Sequence, residues 1–167
     1  MTVESRIARI FKLTDDNWLR HANPWSVRTR YSVLPLLALA FWSRVWLGWW
    51  CILPVALAII WMMVNPILFH APASTKSWES RSVLGERVWA NRDRVPVPEH
   101  HEGVLRILNG ISSLGMLLAV WGVVALSLWP TVAGVALAYV GKSWYLDRMV
   151  WLYEEMKHVP EYGAWLY

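Results

Sequence analysis

Apolar runs and polar segments alternate along the chain, and the lengths of the runs predict its helices. The first run begins at Asn23-Pro24, where Asn suits a helix N-cap and Pro suits the first helical position. A turn at Ser43-Arg44 separates it from a second run, which is predicted to end at Asn65-Pro66 because proline disfavours a helical residue before it. The pattern therefore predicts a helical hairpin over residues 24–64.

A second hairpin is predicted over residues 104–157. Its first helix runs from about Val104 to Leu126, a turn follows at Trp129-Pro130, and the last helix continues without proline to about Lys157. A helix needs about 20 residues to cross the hydrocarbon of a bilayer. Both arms of the second hairpin reach that length. The first hairpin reaches it only if its basic first turns lie at the interface, so the competing interpretation is a single span with an interfacial first segment.

Polar segments flank the hairpins. Residues 1–23 carry apolar side chains at helical spacing beside basic ones, which predicts a short helix on the membrane surface; the apolar positions are Val3, Ile7, Ile10 and Phe11. In the loop over residues 65–103, a helix is predicted near Ser82–Arg92, with Leu84 and Val88 expected to face the membrane. Residues 158–167 form a tail.

These elements predict an all-α integral membrane protein with four transmembrane helices in two hairpins, plus short interfacial helices at the N-terminus and in the middle loop. The whole chain, residues 1–167, is expected to form a single membrane domain. Its composition agrees, because 56% of the residues are hydrophobic and 14 are Trp, which favours membrane–water interfaces. The alternative is a soluble protein with a Trp-rich core.

The distribution of charge predicts the orientation. Of the 16 Lys and Arg residues, only Arg44 lies in the two short hairpin turns. The positive-inside rule then puts both termini and the middle loop in the cytoplasm, for a multi-pass protein of the cytoplasmic (inner) membrane. With a net charge of +4, the expected partners are the lipid bilayer and its anionic headgroups, and not nucleic acid. A homo-oligomer or a larger membrane complex is also open.

Three short runs resemble a known family: His21–Ser26 (HANPWS), Gly85–Trp89 (GERVW) and Asp147–Glu154 (DRMVWLYE). The family consists of small prokaryotic integral membrane proteins with no assigned function, and the likeness extends from about Phe11 to Met156. The resemblance implies a membrane protein and brings no activity, cofactor or site residue with it.

One ionisable residue, Lys142, falls within the last apolar helix. An amine in hydrocarbon is unfavourable, which makes such a residue a functional-site hypothesis. Together with Asn109 and Arg28, Lys142 is predicted to line a polar pocket that opens to the cytoplasm and holds a lipid phosphate. The alternative is a lysine that extends to the interface, with Asn hydrogen-bonded to neighbouring helices.

No metal or other cofactor is expected. Histidine and carboxylate side chains are ligands for zinc and iron, so the candidates for a metal site would be His21, His70, His100, His101, Glu154 and His158. Glu154 and His158 lie one helical turn apart, which suits a metal. His100 and His101 are adjacent, so on a helix they point about 100° apart. The single cysteine, Cys51, excludes an internal disulfide.

Small residues four apart predict close helix packing, with Gly115 and Ala119 on the third helix and Gly134 and Ala138 on the fourth. The chain lacks a phosphate-binding loop, a serine-nucleophile motif and a zinc-protease motif. The favoured function is therefore a non-enzymatic accessory subunit or lipid-interacting scaffold. The alternatives are a small membrane enzyme with a cytoplasmic-surface His/carboxylate metal site, and a transporter or channel.

Overall fold

The computed structural model describes residues 15–167, and the described part is all-helical, without strands. The apolar face predicted for the N-terminal segment, Val3 to Phe11, lies outside the described residues. In chain order the helices are α1 Asp15–His21, α2 Pro24–Arg30, α3 Val33–Trp42, α4 Arg44–Leu47, a 3-10 helix Gly48–Cys51, α5 Ile52–Leu68, α6 Trp78–Ala90, α7 His100–Val124, α8 Leu128–Met156 and α9 Pro160–Gly163.

The two longest helices, α7 and α8, form an antiparallel hairpin with its turn at Ala125–Ser127. Small residues let their backbones approach closely. A Cβ atom on Gly115 would lie 2.3 Å from the backbone nitrogen of Ala138, and one on Gly134 would lie 2.3 Å from that of Ala119. Both distances are far inside van der Waals contact, so the predicted close packing of the two helices is confirmed. The contact formed by Gly115, Ala119, Gly134 and Ala138 is called here the small-residue seam.

The first hairpin is less regular than predicted. Its first arm, expected as one helix over residues 24–42, is broken between α2 and α3 at Tyr31 and Ser32. Pro35 explains the break, because it has no N–H to donate to the Tyr31 carbonyl four residues earlier and its ring clashes with that carbonyl. The hydroxyl of Tyr139 on α8 donates to the freed carbonyl instead.

The second arm also differs from the prediction at both ends. Its long helix, α5, begins only at Ile52, after α4 and the 3-10 helix, and continues through Asn65 and Pro66 to Leu68. Asn65 is fully buried: its carbonyl accepts from the Ser26 hydroxyl at 3.2 Å and its amide donates to the Thr29 hydroxyl at 2.8 Å. These tertiary hydrogen bonds hold α5 in helical geometry where local preference would end it.

Arg44 joins the turns of the two hairpins. Its guanidinium donates to the carbonyls of Val123 and Val124, at 2.7 and 2.8 Å, which are among the carbonyls that the end of α7 leaves without intrahelical partners. The turns of both hairpins therefore lie at the same end of the bundle, called here the turn end.

The opposite end, called here the polar end, is organised by α6. This helix crosses α8 where Gly85 meets Met149, and a Cβ atom on Gly85 would lie 1.9 Å from the Met149 carbonyl oxygen. Leu84 and Val88 are fully buried against α8, so the expectation that they face the membrane is wrong. The close approach at Gly85 puts the apolar side of α6 against protein.

The C-terminal tail is folded onto the middle loop. Tyr162 of α9 is fully buried, and the Arg87 guanidinium lies 3.9 Å from the centre of the Trp165 ring. The backbone N–H of Thr75 donates to the carbonyl of Tyr167 at 2.9 Å. The polar end is thus closed by both the middle loop and the tail.

Two segments of the described chain are long and apolar enough to cross a membrane, namely Pro24–Leu68 and His100–Val124. Within their most apolar windows only 17% and 28% of the residues are buried, which is unlike the core helices of a soluble protein. The segment Pro24–Leu68 includes the whole first hairpin. α8 is the longest helix of the described chain but is not one of these two segments.

The seam between α7 and α8 leads to a test. Gly115→Ala would place a methyl group against the backbone of α8, and such overpacking typically lowers stability by about 1–3 kcal/mol. Gly110→Ala on the same helix is the matched control, since a Cβ atom there meets nothing within 4 Å. We expect the free energy of unfolding in detergent to fall for Gly115→Ala alone. Equal values for the two variants would contradict the seam.

Candidate functional site

The polar end contains most of the charged contacts that the structure describes, and α6 takes part in three of its ion pairs. Glu79 and Glu86 of α6 accept from Arg28 and Lys142 at 2.7 and 2.6 Å. Arg81 of the same helix donates to Glu154 of α8 at 2.7 Å. These pairs connect α2, α6 and α8, so the middle loop is tied to both hairpins.

The residues of the predicted lipid pocket have different partners in the structure. Lys142 is half-exposed on α8 and pairs with Glu86, whereas Arg28 is exposed on α2 and pairs with Glu79. Asn109 is exposed on α7. The pocket of Lys142, Asn109 and Arg28 stays a prediction, but each of its two cations already has a carboxylate partner. A phosphate would therefore have to share or displace that carboxylate.

A second cluster surrounds Arg30, where α1 meets α2. Its guanidinium contacts the Nε2 atom of His21 at 3.0 Å and donates to the His21 carbonyl at 3.2 Å and to the Ser26 hydroxyl at 3.1 Å. Because arginine only donates, Nε2 of His21 must be the acceptor and the imidazole must be neutral. Burial lowers the pKa of His21 well below its ordinary value, and the charges of Arg30 and Lys142 act in the same direction.

The third cluster brings together three metal-ligand side chains where α7 begins and α8 ends. The Nε2 atoms of His100 and His101 lie 3.4 and 3.1 Å from the same oxygen, Oε2 of Glu155. The two imidazole rings are 4.3 Å apart between centres. One ligand atom from each residue lies within 4.8 Å of those of the other two. Sequence reasoning had separated the histidines by 100°, but both reach one carboxylate from the first turn of α7.

The hydrogen bond from His101 lowers the pKa of Glu155, and the charges of His101 and His100 act in the same direction. Partial burial opposes this shift but is the smaller effect. The carboxylate is therefore ionised at neutral pH, which is the state that binds cations.

The remaining metal candidates do not join this cluster. Glu154 pairs with Arg81 and Lys157, and the hydrogen bond from Lys157 is the main cause that lowers its pKa. His158 and His70 are exposed, and His21 contacts Arg30. The predicted pairing of Glu154 with His158 thus has no support in the described contacts, because Glu154 already binds two cations.

The sequence of the chain is similar to that of a known protein family. The model of a family of unknown function (DUF6653) matches residues 2–165. The chain belongs to this family. No curated protein and no solved structure matches it. The matched residues include the three runs on which the resemblance was based. The family has no assigned function, so membership does not assign one to this chain.

Two of the three runs on which the resemblance was based contain residues that hold the polar end together. Gly85 in the run GERVW makes the close contact with Met149, and Glu86 binds Lys142. Asn23 in the run HANPWS caps α2, since its side chain accepts from the backbone N–H of Trp25 at 2.9 Å. Each of these residues therefore has a structural partner in the described part of the chain.

Sequence reasoning missed Glu155, Glu86 and Arg30. The register of the small-residue seam could have indicated Glu155. If Gly115 lies opposite Ala138 in an antiparallel pair, His101 lies opposite Leu152, and Glu155 follows one helical turn later. Glu79 and Glu86 are seven residues apart, so they share one face of a helix. No sequence pattern indicated that Arg30 would meet His21.

The neutral state of His21 predicts a pH dependence. Below about pH 6.5 the unfolded chain binds a proton at this position, whereas the folded chain does so only at a lower pH. The free energy of unfolding should therefore fall as the pH drops from 7 to 5, by up to about 1.4 kcal/mol per pH unit. Denaturation at several pH values measures this slope.

His21→Asn should flatten that slope, because asparagine does not titrate. His158→Asn is the matched control, since His158 is exposed, and it should follow the wild-type slope. Parallel slopes for wild type and His21→Asn would show that His21 is not held neutral by the fold.

Proposed function

We propose that this protein is an integral membrane scaffold without catalytic activity, in which four helices cross the bilayer and the polar end forms a platform at the cytoplasmic surface. One observation carries the proposal: both hairpins expose apolar side chains along their middle sections. Leu57 on α5 and Leu117 on α7 are 66% and 68% exposed. A soluble protein rarely leaves such continuous apolar surface in water.

Aromatic side chains at two levels support a membrane position. At the turn end the exposed Trp residues are Trp46, Trp49, Trp50, Trp121 and Trp129; at the polar end they are Trp25, Trp78, Trp144 and Trp151. Along α8, Trp129 and Trp151 are about 33 Å apart at a rise of about 1.5 Å per residue. This separation fits a hydrocarbon layer about 30 Å thick with Trp at both interfaces.

The first hairpin is the shorter of the two. Its first arm can cross the bilayer only if α2 and α3 are counted together. α3 has 10 residues and so measures only about 15 Å, half of what a span needs. α2 and α3 together, joined at the Tyr31 break, come close to the required length. The break lies against α8, where Tyr139 satisfies its free carbonyl, so the non-helical backbone is not exposed to lipid.

Lipid headgroups are the proposed partners of the polar end. The Arg28 guanidinium lies 5.7 Å from the centre of the exposed Trp25 ring, and Arg148 lies 4.4 Å from that of Trp151. Pairs of this kind suit the level of the headgroups, where the ring is partly apolar and the cation meets phosphate. A partner protein subunit would bind the same platform from the cytoplasm.

The topology can be tested by cysteine labelling from outside the cell in a Cys51→Ser background, because Cys51 is the single native cysteine. The exposed residues Trp49, at the turn end, and Lys76, in the middle loop, are suitable positions. A membrane-impermeant maleimide should modify Trp49→Cys and should modify Lys76→Cys only after the membrane is permeabilised. The reverse pattern, or labelling of both in intact cells, would contradict the proposed orientation.

Lipid binding can be tested by native mass spectrometry in mixed phosphatidylcholine and phosphatidylglycerol. A cation near an anionic membrane surface contributes about 1 kcal/mol, or about a fivefold change in retention. We therefore expect Arg28→Gln and Lys142→Gln each to reduce retained phosphatidylglycerol by about that factor. Helix content by circular dichroism should not change.

The matched control for the lipid test is Lys157→Gln. Like Lys142, Lys157 pairs with a carboxylate, here Glu154 at 2.6 Å, but it follows Lys142 by 15 residues and lies past the end of α8, further from the apolar part of the bundle. This variant should retain as much phosphatidylglycerol as the wild type. Equal retention by all forms would remove Arg28 and Lys142 as headgroup contacts while leaving the topology test unaffected.

A further inference from the structure

His100, His101 and Glu155 lie at the open end of the α7/α8 hairpin, where Glu155 follows directly after Glu154, the partner of Arg81. His101 is buried, with 4% of its side chain exposed, whereas 64% of His100 and 44% of Glu155 are exposed. One side of the cluster is therefore fixed in protein and the other is open to solvent. An ion can enter such a cluster without any movement of the helices.

We propose that these three residues bind one divalent transition-metal ion, through an imidazole nitrogen of each histidine and a carboxylate oxygen of Glu155, with Zn²⁺ as the reference ion. A fourth position stays open to water. The site is independent of the scaffold function proposed above, because none of its residues contributes to the headgroup contacts.

The distances between the ligand atoms fit a tetrahedral ion. Zinc binds nitrogen and oxygen ligands at about 2.0–2.1 Å, so two ligands of a tetrahedral zinc lie about 3.3 Å apart. The observed separations from Oε2 of Glu155 to Nε2 of His100 and His101 are 3.4 and 3.1 Å. Two edges of the tetrahedron are thus already formed. The third ligand pair lies within 4.8 Å, and rotation of the exposed His100 ring can close it.

The cluster contains one histidine more than an ordinary ion pair with Glu155 needs. One histidine would satisfy Glu155, yet both Nε2 atoms converge on the same carboxylate oxygen. Two imidazoles, each neutral when it binds a metal, and one carboxylate are a ligand set that suits zinc and iron(II) and does not suit magnesium or calcium, which prefer oxygen ligands alone.

The supporting structure holds the ligands at fixed positions. His100 and His101 belong to the first turn of α7 and Glu155 to the last turn of α8, and the small-residue seam fixes the register of these two helices. Next to the site, Leu152 is fully buried between the helices. Ligands on packed helices need little reorganisation when the ion binds, which favours affinity.

The test is isothermal titration of Zn²⁺ into the full chain, purified in detergent and stripped of metal with a chelator. We expect saturation at about one ion per chain, and no competition from millimolar Mg²⁺. His100→Ala and Glu155→Gln should each weaken Zn²⁺ binding by about 100-fold or more, since each removes a direct ligand. Both side chains are substantially exposed, so both variants should fold, and circular dichroism checks this.

The matched controls are His158→Ala and Glu154→Gln, which remove the same chemical groups from the same end of the bundle. Both should bind Zn²⁺ as the wild type does. Visible absorption of bound Co²⁺ should show a tetrahedral or five-coordinate ion in wild type and in His158→Ala, and should be lost in Glu155→Gln. Non-saturable Zn²⁺ uptake, or uptake that Glu155→Gln retains and His158→Ala loses, would overturn the proposal.

Discussion

Close contact between α7 and α8 is the constraint on which the rest of the structure depends. At Gly115 and Gly134 the two backbones approach so closely that a single methyl group has no space. In the lipid environment proposed for this protein, no hydrophobic effect would drive two apolar helices together, so dispersion contacts between closely packed backbones would stabilise the pair. A helix pair held in this way has one register, and that register decides which residues meet at each end.

The consequences differ at the two ends of the hairpin. Toward the turn end, the residues between α7 and α8 are small, so the two helices pack directly against each other. Toward the polar end, larger side chains such as Leu108, Tyr145 and Met149 lie in the same apolar cluster as the buried side chains of α6. The middle loop thus packs on α8 at the end where the side chains between α7 and α8 are larger.

The polar end combines three sets of contacts that serve different purposes. The ion pairs of α6 attach the middle loop to α2 and α8, and the cluster of Arg30 and His21 joins α1 to α2. Both sets have structural explanations in the fold. The convergence of His100 and His101 on Glu155 is the set for which the fold offers no such need, since α7 and α8 are already joined by the seam.

The sequence by itself determined the helical elements, the order of two hairpins around a polar loop, and the small-residue seam, because these depend on periodicity and on residues close together in the chain. It gave no account of the Tyr31 break, although Pro35 was its visible cause, nor of the continuation of α5 through Pro66. The Tyr139 hydroxyl satisfies the carbonyl that the break frees, and tertiary hydrogen bonds to Ser26 and Thr29 hold α5 in helical geometry through Pro66. The partners of Lys142, Arg28 and His101 were likewise decided by the packing of α6 and α8, since an ion pair between residues distant in the chain forms only where the backbones have been brought together.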